Sequence, residues 1–187
     1  MRVGCVILAA GNARRFGENK LLARYRGRPL VEWVLEAVPP DLKPAALVTQ
    51  YPAVAALAAA RGFEVLRNDA PELGISRSVA LGAAALAGRC EGLLFLAADQ
   101  PRLSRESLER LAAAFAADPT RIAAAEAGER RGNPAIFPAE LIQELRELRG
   151  DRGGMQLIRR YPARLRWVPI PPEELADVDI PADLEAL

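Results

Sequence analysis

Histidine is absent from the 187-residue sequence. Its absence excludes imidazole acid–base catalysis and histidine-ligated metal sites. Only two cysteines are present, Cys5 and Cys90, and their spacing does not suit a metal site. We expect both to be small buried hydrophobic residues. Any bound metal must therefore be held by oxygen ligands, which favours Mg²⁺ or a similarly hard cation.

An excess of one charge sign is also lacking. The 25 basic and 24 acidic residues leave a net charge of +1, so no overall field draws the protein toward nucleic acid or a membrane. No apolar run approaches the roughly 20 residues of a membrane span. Met1 and Arg2 lead directly into an apolar segment, without the pattern of a signal peptide. We therefore expect a cytoplasmic protein that binds neither nucleic acid nor membrane.

Aromatic residues are few, at 5% of the sequence, but apolar residues as a whole reach 51%, which is ample for a core. The length suits one domain, and we expect a single domain over residues 1–187. Short apolar runs alternate with helical patterns through residue 117, which predicts an α/β fold with a mostly parallel sheet and helices on both faces. The later part is less regular and predicts an antiparallel excursion in the C-terminal half.

Residues 68–76 form a long polar stretch that predicts a loop. The helix after it is predicted over residues 79–87, with Ser76 or Ser78 as its N-cap and Gly88 at its end. Ser104 is predicted to cap a later amphipathic helix.

The segment around which the chain is organised is residues 3–22. Its apolar run, residues 3–9, predicts a buried strand, and a polar, cationic loop follows from Gly11. Glycine lets successive N–H groups turn toward a phosphate, which the cations neutralise. Lys20 stands out because the sequence has only two lysines, Lys20 and Lys43, among its 25 basic residues. A compact ammonium can follow charge on a phosphoryl oxygen, whereas arginine suits static binding. The competing interpretation is a turn with a solvated basic face.

Asp99 directly follows the apolar run of residues 92–98. A carboxylate there is costly unless a cation or hydrogen-bond donors meet it. In a parallel sheet, ligands bind beyond the carboxyl ends of the strands. We therefore interpret Asp99 as a magnesium ligand, with a turn-initiating aspartate as the alternative. Asp177 and Asp179 offer a second carboxylate, for which helix capping is the competing explanation. Two carboxylates, a metal, a lysine and an arginine suit phosphoryl or nucleotidyl transfer.

The segment LAAGNARRFGENKLL resembles the LAAGxSxRxGxxKxL signature of the molybdenum cofactor nucleotidyltransferases, in particular the cytidylyltransferases. The resemblance continues in the same order down nearly the whole chain, through NDAPELGISRSV, AADQP, GNPAIF, GDRGG and DVDIPADLEAL. It implies a Rossmann-like nucleotidyltransferase fold. It also implies transfer of CMP from CTP to molybdopterin with release of pyrophosphate, in the presence of Mg²⁺.

The resemblance also implies roles for individual residues. Arg15 would bind the β- and γ-phosphates, and Lys20 would stabilise charge at the reacting α-phosphate. Asp99 would hold Mg²⁺, with Asp179 as its second carboxylate and Asp177 as the alternative. The residues that the resemblance places at the nucleotide are Leu8, Ala9, Ala10, Gly11, Asn12, Arg15, Lys20, Asn68, Gly74, Ser76 and Ser78.

Several positions depart from the family pattern. Asn12 stands where a small hydroxyl residue is usual. Asn133 stands where the family frequently has histidine, and this change leaves open which molecule accepts the nucleotide. Ala10, where guanylyl-transferring relatives tend to carry glycine, points to CTP. The alternatives are a guanylyltransferase or sugar-phosphate nucleotidyltransferase of the same fold, and a non-catalytic nucleotide- or cofactor-binding chaperone. The resemblance also admits a molybdoenzyme or an insertion chaperone as a protein partner.

Overall fold

A computed structural model describes residues 1–12, 16 and 19–187 of the chain. The strands are β1 (Val3–Ala9), β2 (Arg24–Tyr25), β3 (Arg28–Pro29), β4 (Ala45–Thr49), β5 (Glu64–Arg67), β6 (Gly92–Ala97), β7 (Ile122–Ala127), β8 (Arg130–Pro138) and β9 (Leu165–Pro169). The helices are α1 (Leu30–Ala37), α2 (Pro52–Ala60), α3 (Ile75–Leu86), α4 (Arg105–Ala117), α5 (Ile142–Glu147), α6 (Met155–Arg160) and α7 (Pro181–Ala186).

The central sheet has the strand order β5-β4-β1-β6-β8-β7-β9 within the described residues. β1 lies between β4 and β6 and runs parallel to both. β8 is antiparallel to β6 and β7, while β9 returns parallel to β7. The predicted mostly parallel sheet with an antiparallel excursion is therefore confirmed. After β1, the chain adds β4 and β5 on one side of it and then places β6 on its other side. The strand order reverses between β1 and β6, and a crevice opens at the carboxyl ends of these two strands.

Helices cover both faces of the sheet, as predicted. On one face α1, α2 and α4 pack over a buried cluster that includes Ile7, Leu94 and Phe115. On the other face α3, α5 and α6 pack over a second cluster that includes Val6 and Phe95. Alternate side chains of β1 and β6 enter opposite clusters, so the two strands are buried on both sides. This burial fixes the strand ends from which the polar residues of the crevice project.

The start of α3 differs from its prediction. The helix begins at Ile75 instead of residue 79, and its N-cap is Gly74, which makes no side-chain cap hydrogen bond. Gly74 has φ +85°, and a Cβ there would lie 2.6 Å from the carbonyl carbon of Gly150. Glycine is therefore required at position 74 for two reasons. It adopts the positive φ with which the helix starts, and it leaves room for the backbone of Gly150. Ser76 and Ser78 lie inside α3, so the prediction that one of them is the N-cap was wrong.

The predicted cap of α4 is confirmed, because Ser104 Oγ accepts a 3.1 Å hydrogen bond from the N–H of Ser107. Across the described residues, no helix combines the length and the apolarity needed to cross a bilayer.

Candidate active site

Lys20 and two aspartates meet at the crevice beside β1 and β6. The Lys20 Nζ atom lies 2.7 Å from Asp99 Oδ2 and 3.0 Å from Asp179 Oδ1. Asp99 follows the end of β6, and Lys20 begins a short 3₁₀ turn, Lys20–Leu22. The side chain of Asn19 accepts a 3.1 Å hydrogen bond from the N–H of Leu21 and so fixes this turn. Three residues far apart in sequence are thereby brought into direct contact.

The charges in this cluster influence one another strongly. Burial works to lower the pKa of Lys20, but Asp99 and Asp179 outweigh it and hold that pKa above its ordinary value. The Lys20 side chain is only 12% exposed, so its ammonium is largely removed from solvent. Burial and then the negative charge of Asp99 raise the pKa of Asp177, although Gln100 Nε2 donates a 2.9 Å hydrogen bond to it. Within the described structure, three aspartates, Asp99, Asp177 and Asp179, thus lie around the single ammonium group of Lys20.

The donor set of the cluster fits a hard divalent cation. Asp99 Oδ1 is buried, and no group among the described residues hydrogen-bonds to it. An unpaired buried carboxylate oxygen beside further carboxylates is a suitable ligand for Mg²⁺. The described residues contain no group of three or more acidic or cysteine side chains placed to hold a metal alone. Water and phosphate oxygens would have to complete the coordination, as is usual for Mg²⁺ at phosphate sites.

A cavity of about 580 Å³ opens beside this cluster, at the carboxyl end of β1. It brings together most of the residues predicted to contact a nucleotide, together with residues for which no role was predicted. Its lining is Leu8, Ala9, Ala10, Gly11, Asn12, Lys20, Leu21, Asn68, Pro71, Gly74, Ile75, Ser78, Ala97, Asp99, Asp151 and Asp179.

Asn68 is a buried part of this lining, whereas Ser76 is not part of it. Asn68 is buried in the cavity wall, where its Nδ2 donates to Ser78 Oγ at 3.0 Å and its Oδ1 accepts from the N–H of Ala70 at 3.1 Å. Ser76 is buried in the first turn of α3, and its N–H donates to the carbonyl of Gly150 at 3.2 Å. Arg15 lies outside the described residues, so its predicted phosphate contact stays a prediction.

A second cavity, of about 780 Å³, shares the wall formed by Asp99 and Asp179. Its floor is apolar and includes Phe95 and Phe137, while Arg130 and Arg131 contribute positive charge. Asp177, Gln100 and Asn133 also line it. The amide groups of Gln100 and Asn133 lie 3.0 Å apart. Among the described residues, five aspartates line this cavity against the two arginines, so a negatively charged group would have to bind beside Arg130 and Arg131.

Sequence reasoning assigned no role to Asp151 or Gln100. Asp151 lines both cavities, and it lies in the GDRGG segment that carries part of the family resemblance. Gln100 follows Asp99 directly, within AADQP. Both segments carry part of the family resemblance, so the sequence does contain a signal for these two side chains.

The same fold occurs in solved structures of nucleotidyltransferases. A nucleotidyl transferase from Methanothermobacter thermautotrophicus is 23% identical, with a TM-score of 0.85 over 99% of this chain and 95% of that one. Molybdopterin-guanine dinucleotide biosynthesis protein A from Archaeoglobus fulgidus is 19% identical, with a TM-score of 0.70 over 100% of this chain and 96% of that one. Identities at this level establish a shared fold.

Relatives are also found by sequence. A probable molybdenum cofactor guanylyltransferase from Bacillus licheniformis is 31% identical over 111 residues, which are 57% of this chain and 53% of that protein. A molybdenum cofactor guanylyltransferase from Shewanella sp. (strain ANA-3) is 31% identical over 138 residues, 70% of this chain and 65% of that protein. The matched stretch thus spans between half and two thirds of the length of these relatives. Residues 5–165 match the model of the MobA-like NTP transferase domain, and the chain therefore belongs to this family.

Proposed function

We propose that this protein is a nucleotidyltransferase that joins the nucleoside monophosphate of an NTP to molybdopterin and releases pyrophosphate. The observation that carries this proposal is the position of Lys20, Asp99 and Asp179 in a wall of the first cavity, with both aspartates also lining the second. A reaction between two bound molecules needs its charge-stabilising groups where the two meet.

In the first cavity, the backbone of residues 8–12 would face the nucleotide and Lys20 would balance charge on the α-phosphate. An oxygen of the acceptor phosphate forms the new bond to the α-phosphorus. The bond from that phosphorus to the oxygen bridging to the β-phosphate breaks, and pyrophosphate leaves with the electron pair. Because the acceptor phosphate is already anionic, the reaction needs neither a protein nucleophile nor histidine.

Asp99 and Asp179 would hold Mg²⁺, with Asp177 as the alternative second carboxylate. The buried, unpaired Oδ1 atom of Asp99 supports this assignment. When bound, Mg²⁺ supplies positive charge that stabilises the phosphate oxygens during transfer.

The second cavity would receive molybdopterin. Arg130 and Arg131 suit its phosphate, and the apolar floor suits the flat ring system. Asn133, at the position where the family often has histidine, lies in this cavity with its amide against Gln100. Transfer of the product to a molybdoenzyme or an insertion chaperone stays a prediction.

CTP is the nucleotide we propose, because Ala10 lines the first cavity and alanine would leave less room beside the base than the glycine that guanylyl-transferring relatives tend to carry. One methyl group alters such a preference by only about 1–3 kcal/mol. GTP is the second candidate, and the names of the curated relatives, both guanylyltransferases, favour it.

The test is incubation of the purified protein with Mg²⁺, molybdopterin and CTP or GTP in turn, with mass detection of the dinucleotide and measurement of released pyrophosphate. We expect molybdopterin cytosine dinucleotide. A guanine product would show that the nucleotide is GTP instead of CTP. Transfer only to a sugar phosphate, in a parallel incubation that supplies one, would show that molybdopterin is not the acceptor. Tight NTP binding without any pyrophosphate release would support the non-catalytic chaperone.

A further inference from the structure

Three successive side chains at the end of β4 donate to three successive backbone carbonyls at the end of β1. The donors are residues 49–51, and the acceptors are residues 9–11. The three pairs are Thr49 Oγ1 to Ala9 O at 2.9 Å, Gln50 Nε2 to Ala10 O at 2.9 Å and Tyr51 Oη to Gly11 O at 2.8 Å. We call this set the carbonyl ladder.

The register of the sheet produces the carbonyl ladder. In the parallel β1–β4 pair, Ala9 lies opposite Thr49, where the backbone pairing ends. The two segments keep the same residue offset beyond this point, so residue 50 pairs with residue 10 and residue 51 with residue 11. Their hydrogen bonds are made by side chains of residues 50 and 51 instead of by the backbone. Buried Thr49 also accepts a 3.1 Å hydrogen bond from the N–H of Tyr51, and Gln50 Nε2 lies 2.9 Å from Asn12 Oδ1. The donors are therefore themselves held in place.

The carbonyl ladder determines where the backbone N–H groups of the loop point. The peptide bonds that follow residues 9, 10 and 11 are trans. In a trans peptide, the N–H of the next residue points opposite to the carbonyl. Since all three carbonyls are drawn toward β4, the N–H groups of residues 10–12 are turned away from it, and β1 has β6 on that other side. Successive N–H groups presented on one side form a concavity that binds anions.

The same loop residues line the first cavity, close to Lys20. We infer that Thr49, Gln50 and Tyr51 are positioning residues, which hold the loop so that its N–H groups meet the phosphates of the nucleotide. This inference rests on the proposed function, which supplies the triphosphate. Burial raises the pKa of Tyr51, so its phenol stays protonated and able to donate.

Single substitutions that remove one donor each test the carbonyl ladder. Tyr51→Phe removes only the hydroxyl, and Gln50→Met keeps a similar volume without a donor. We expect Tyr51→Phe to weaken binding of CTP, GTP and inorganic tripolyphosphate about five- to tenfold, the effect of one lost hydrogen bond. Gln50→Met should weaken it at least as much, because Gln50 Nε2 also donates to Asn12 Oδ1. In turnover assays, KM for the nucleotide should rise while kcat stays nearly constant, because the groups at the reacting phosphate are untouched.

Tyr161→Phe is the matched control. It also removes one phenol hydrogen bond, a 2.7 Å contact with Glu144 on α5, away from the lining of both cavities. Calorimetric titration should give it the wild-type affinity for tripolyphosphate, and thermal unfolding should establish that every variant is folded.

Three negative results have different meanings. If the wild-type protein binds the nucleotides and tripolyphosphate, and both Tyr51→Phe and Gln50→Met bind them equally well, the carbonyl ladder has no positioning role. If the wild-type protein binds tripolyphosphate but neither nucleotide, the proposed function is wrong, while the effect of Tyr51→Phe on tripolyphosphate still decides the role of the ladder. If the wild-type protein binds none of these anions, both inferences are overturned.

Discussion

Lys20 is held between two carboxylates, at 2.7 Å from Asp99 and 3.0 Å from Asp179. These contacts fix the ammonium at the wall between the two cavities, where a transferring phosphate would pass. A charge already in place needs little reorganisation when negative charge develops on the phosphate, which is the physical basis of electrostatic catalysis. The contribution of Lys20 should therefore be larger in the transition state than in the bound substrate.

Lys20→Ala is expected to lower kcat by roughly 100-fold or more, as loss of a preorganised charge does, and to change NTP affinity much less. Steady-state kinetics and calorimetric titration measure the two quantities separately. Lys43→Ala is the matched control, because Lys43 is the other lysine of the sequence and its Nζ lies 5.6 Å above the ring of Phe63 instead. A variant that lost binding but kept its turnover would contradict this role for Lys20.

Asp99→Asn is expected to raise the Mg²⁺ concentration needed for half-maximal activity by about tenfold or more, because it removes a charged ligand. Stability should change little, since no hydrogen bond to Asp99 Oδ1 is lost among the described residues and Lys20 keeps its contact with Asp179. Binding of Mn²⁺, followed by electron paramagnetic resonance, gives a readout that does not depend on turnover. Exposed Asp69, which pairs with Arg77, supplies the control variant Asp69→Asn. An Asp99→Asn protein that fails to fold would favour the purely structural interpretation of this residue.

Residues with a local signal could be predicted from the sequence, and residues without one could not. Asp99 was identified because it breaks an apolar run, and Lys20 because lysine is rare in this chain. Gln50 and Tyr51 carry no such signal. Their donors acquire a role only through the β1–β4 register, which brings together residues 40 positions apart.

At the scale of elements, α3 approaches β1 closely because position 82 has no side chain. A Cβ there would lie 2.4 Å from Val6 Cγ1, on a strand that is buried on both faces. Replacing glycine by alanine inside a helix stabilises the helix by about 1 kcal/mol. Overpacking a core destabilises the protein by about 1–3 kcal/mol. The packing penalty should therefore exceed the gain in helix propensity.

Gly82→Ala is accordingly expected to lower the free energy of unfolding by about 1–2 kcal/mol, the balance of these two effects. Denaturant unfolding measures it. Gly153→Ala is the comparison, because a Cβ at that position would meet its nearest neighbour, Ile75 Cδ1, at an ordinary 3.6 Å. Unchanged or increased stability of Gly82→Ala would show that α3 can shift away from β1 at little cost.

The sequence predicted those elements whose apolar pattern is long enough, such as β1, β6 and α4. The β2–β3 hairpin was missed because each strand has two residues. Its turn also places Arg26 at φ +46° before Gly27 at φ +83°, where asparagine or aspartate is the usual signal. The start of α3 was misplaced because it depends on contact between Gly74 and Gly150, which no local pattern reveals.

For the whole molecule, the alternation of strands and helices was sufficient to predict the parallel sheet and the edge at which polar residues gather. The sequence predicted an antiparallel excursion, which is β8, but it did not predict that this strand lines a cavity. β8 contributes Asn133, Ala135 and Phe137 to the second cavity. The lining of that cavity comes from β1, α3, β6, β8, α6, α7 and the segments after β6 and before α6 and α7, which only the folded chain brings together.

Nucleotide binding should stabilise the whole molecule, and it should do so more strongly when Mg²⁺ is present. A ligand at 100 times its Kd adds about 2.7 kcal/mol to the free energy of unfolding, which corresponds to a rise in Tm of roughly 5–10 °C for a domain of this size. Asp99, Asp151 and Asp179 outnumber Lys20 in the described lining of the first cavity, so a triphosphate without a cation meets net negative charge there. Removal of Mg²⁺ with EDTA should therefore cut the Tm shift at a fixed NTP concentration.

Thermal unfolding with CTP or GTP, each with Mg²⁺ and with EDTA, measures this difference, and cytidine and guanosine without phosphates are the controls. Mg²⁺ alone should give a small shift, because the two carboxylates need phosphate oxygens to complete the coordination. Equal stabilisation by NTP in Mg²⁺ and in EDTA would mean that Lys20 and the loop N–H groups bind the triphosphate unaided. In that case the carboxylates would serve to hold Lys20 in place, and the cation requirement of the proposed reaction would have to arise elsewhere.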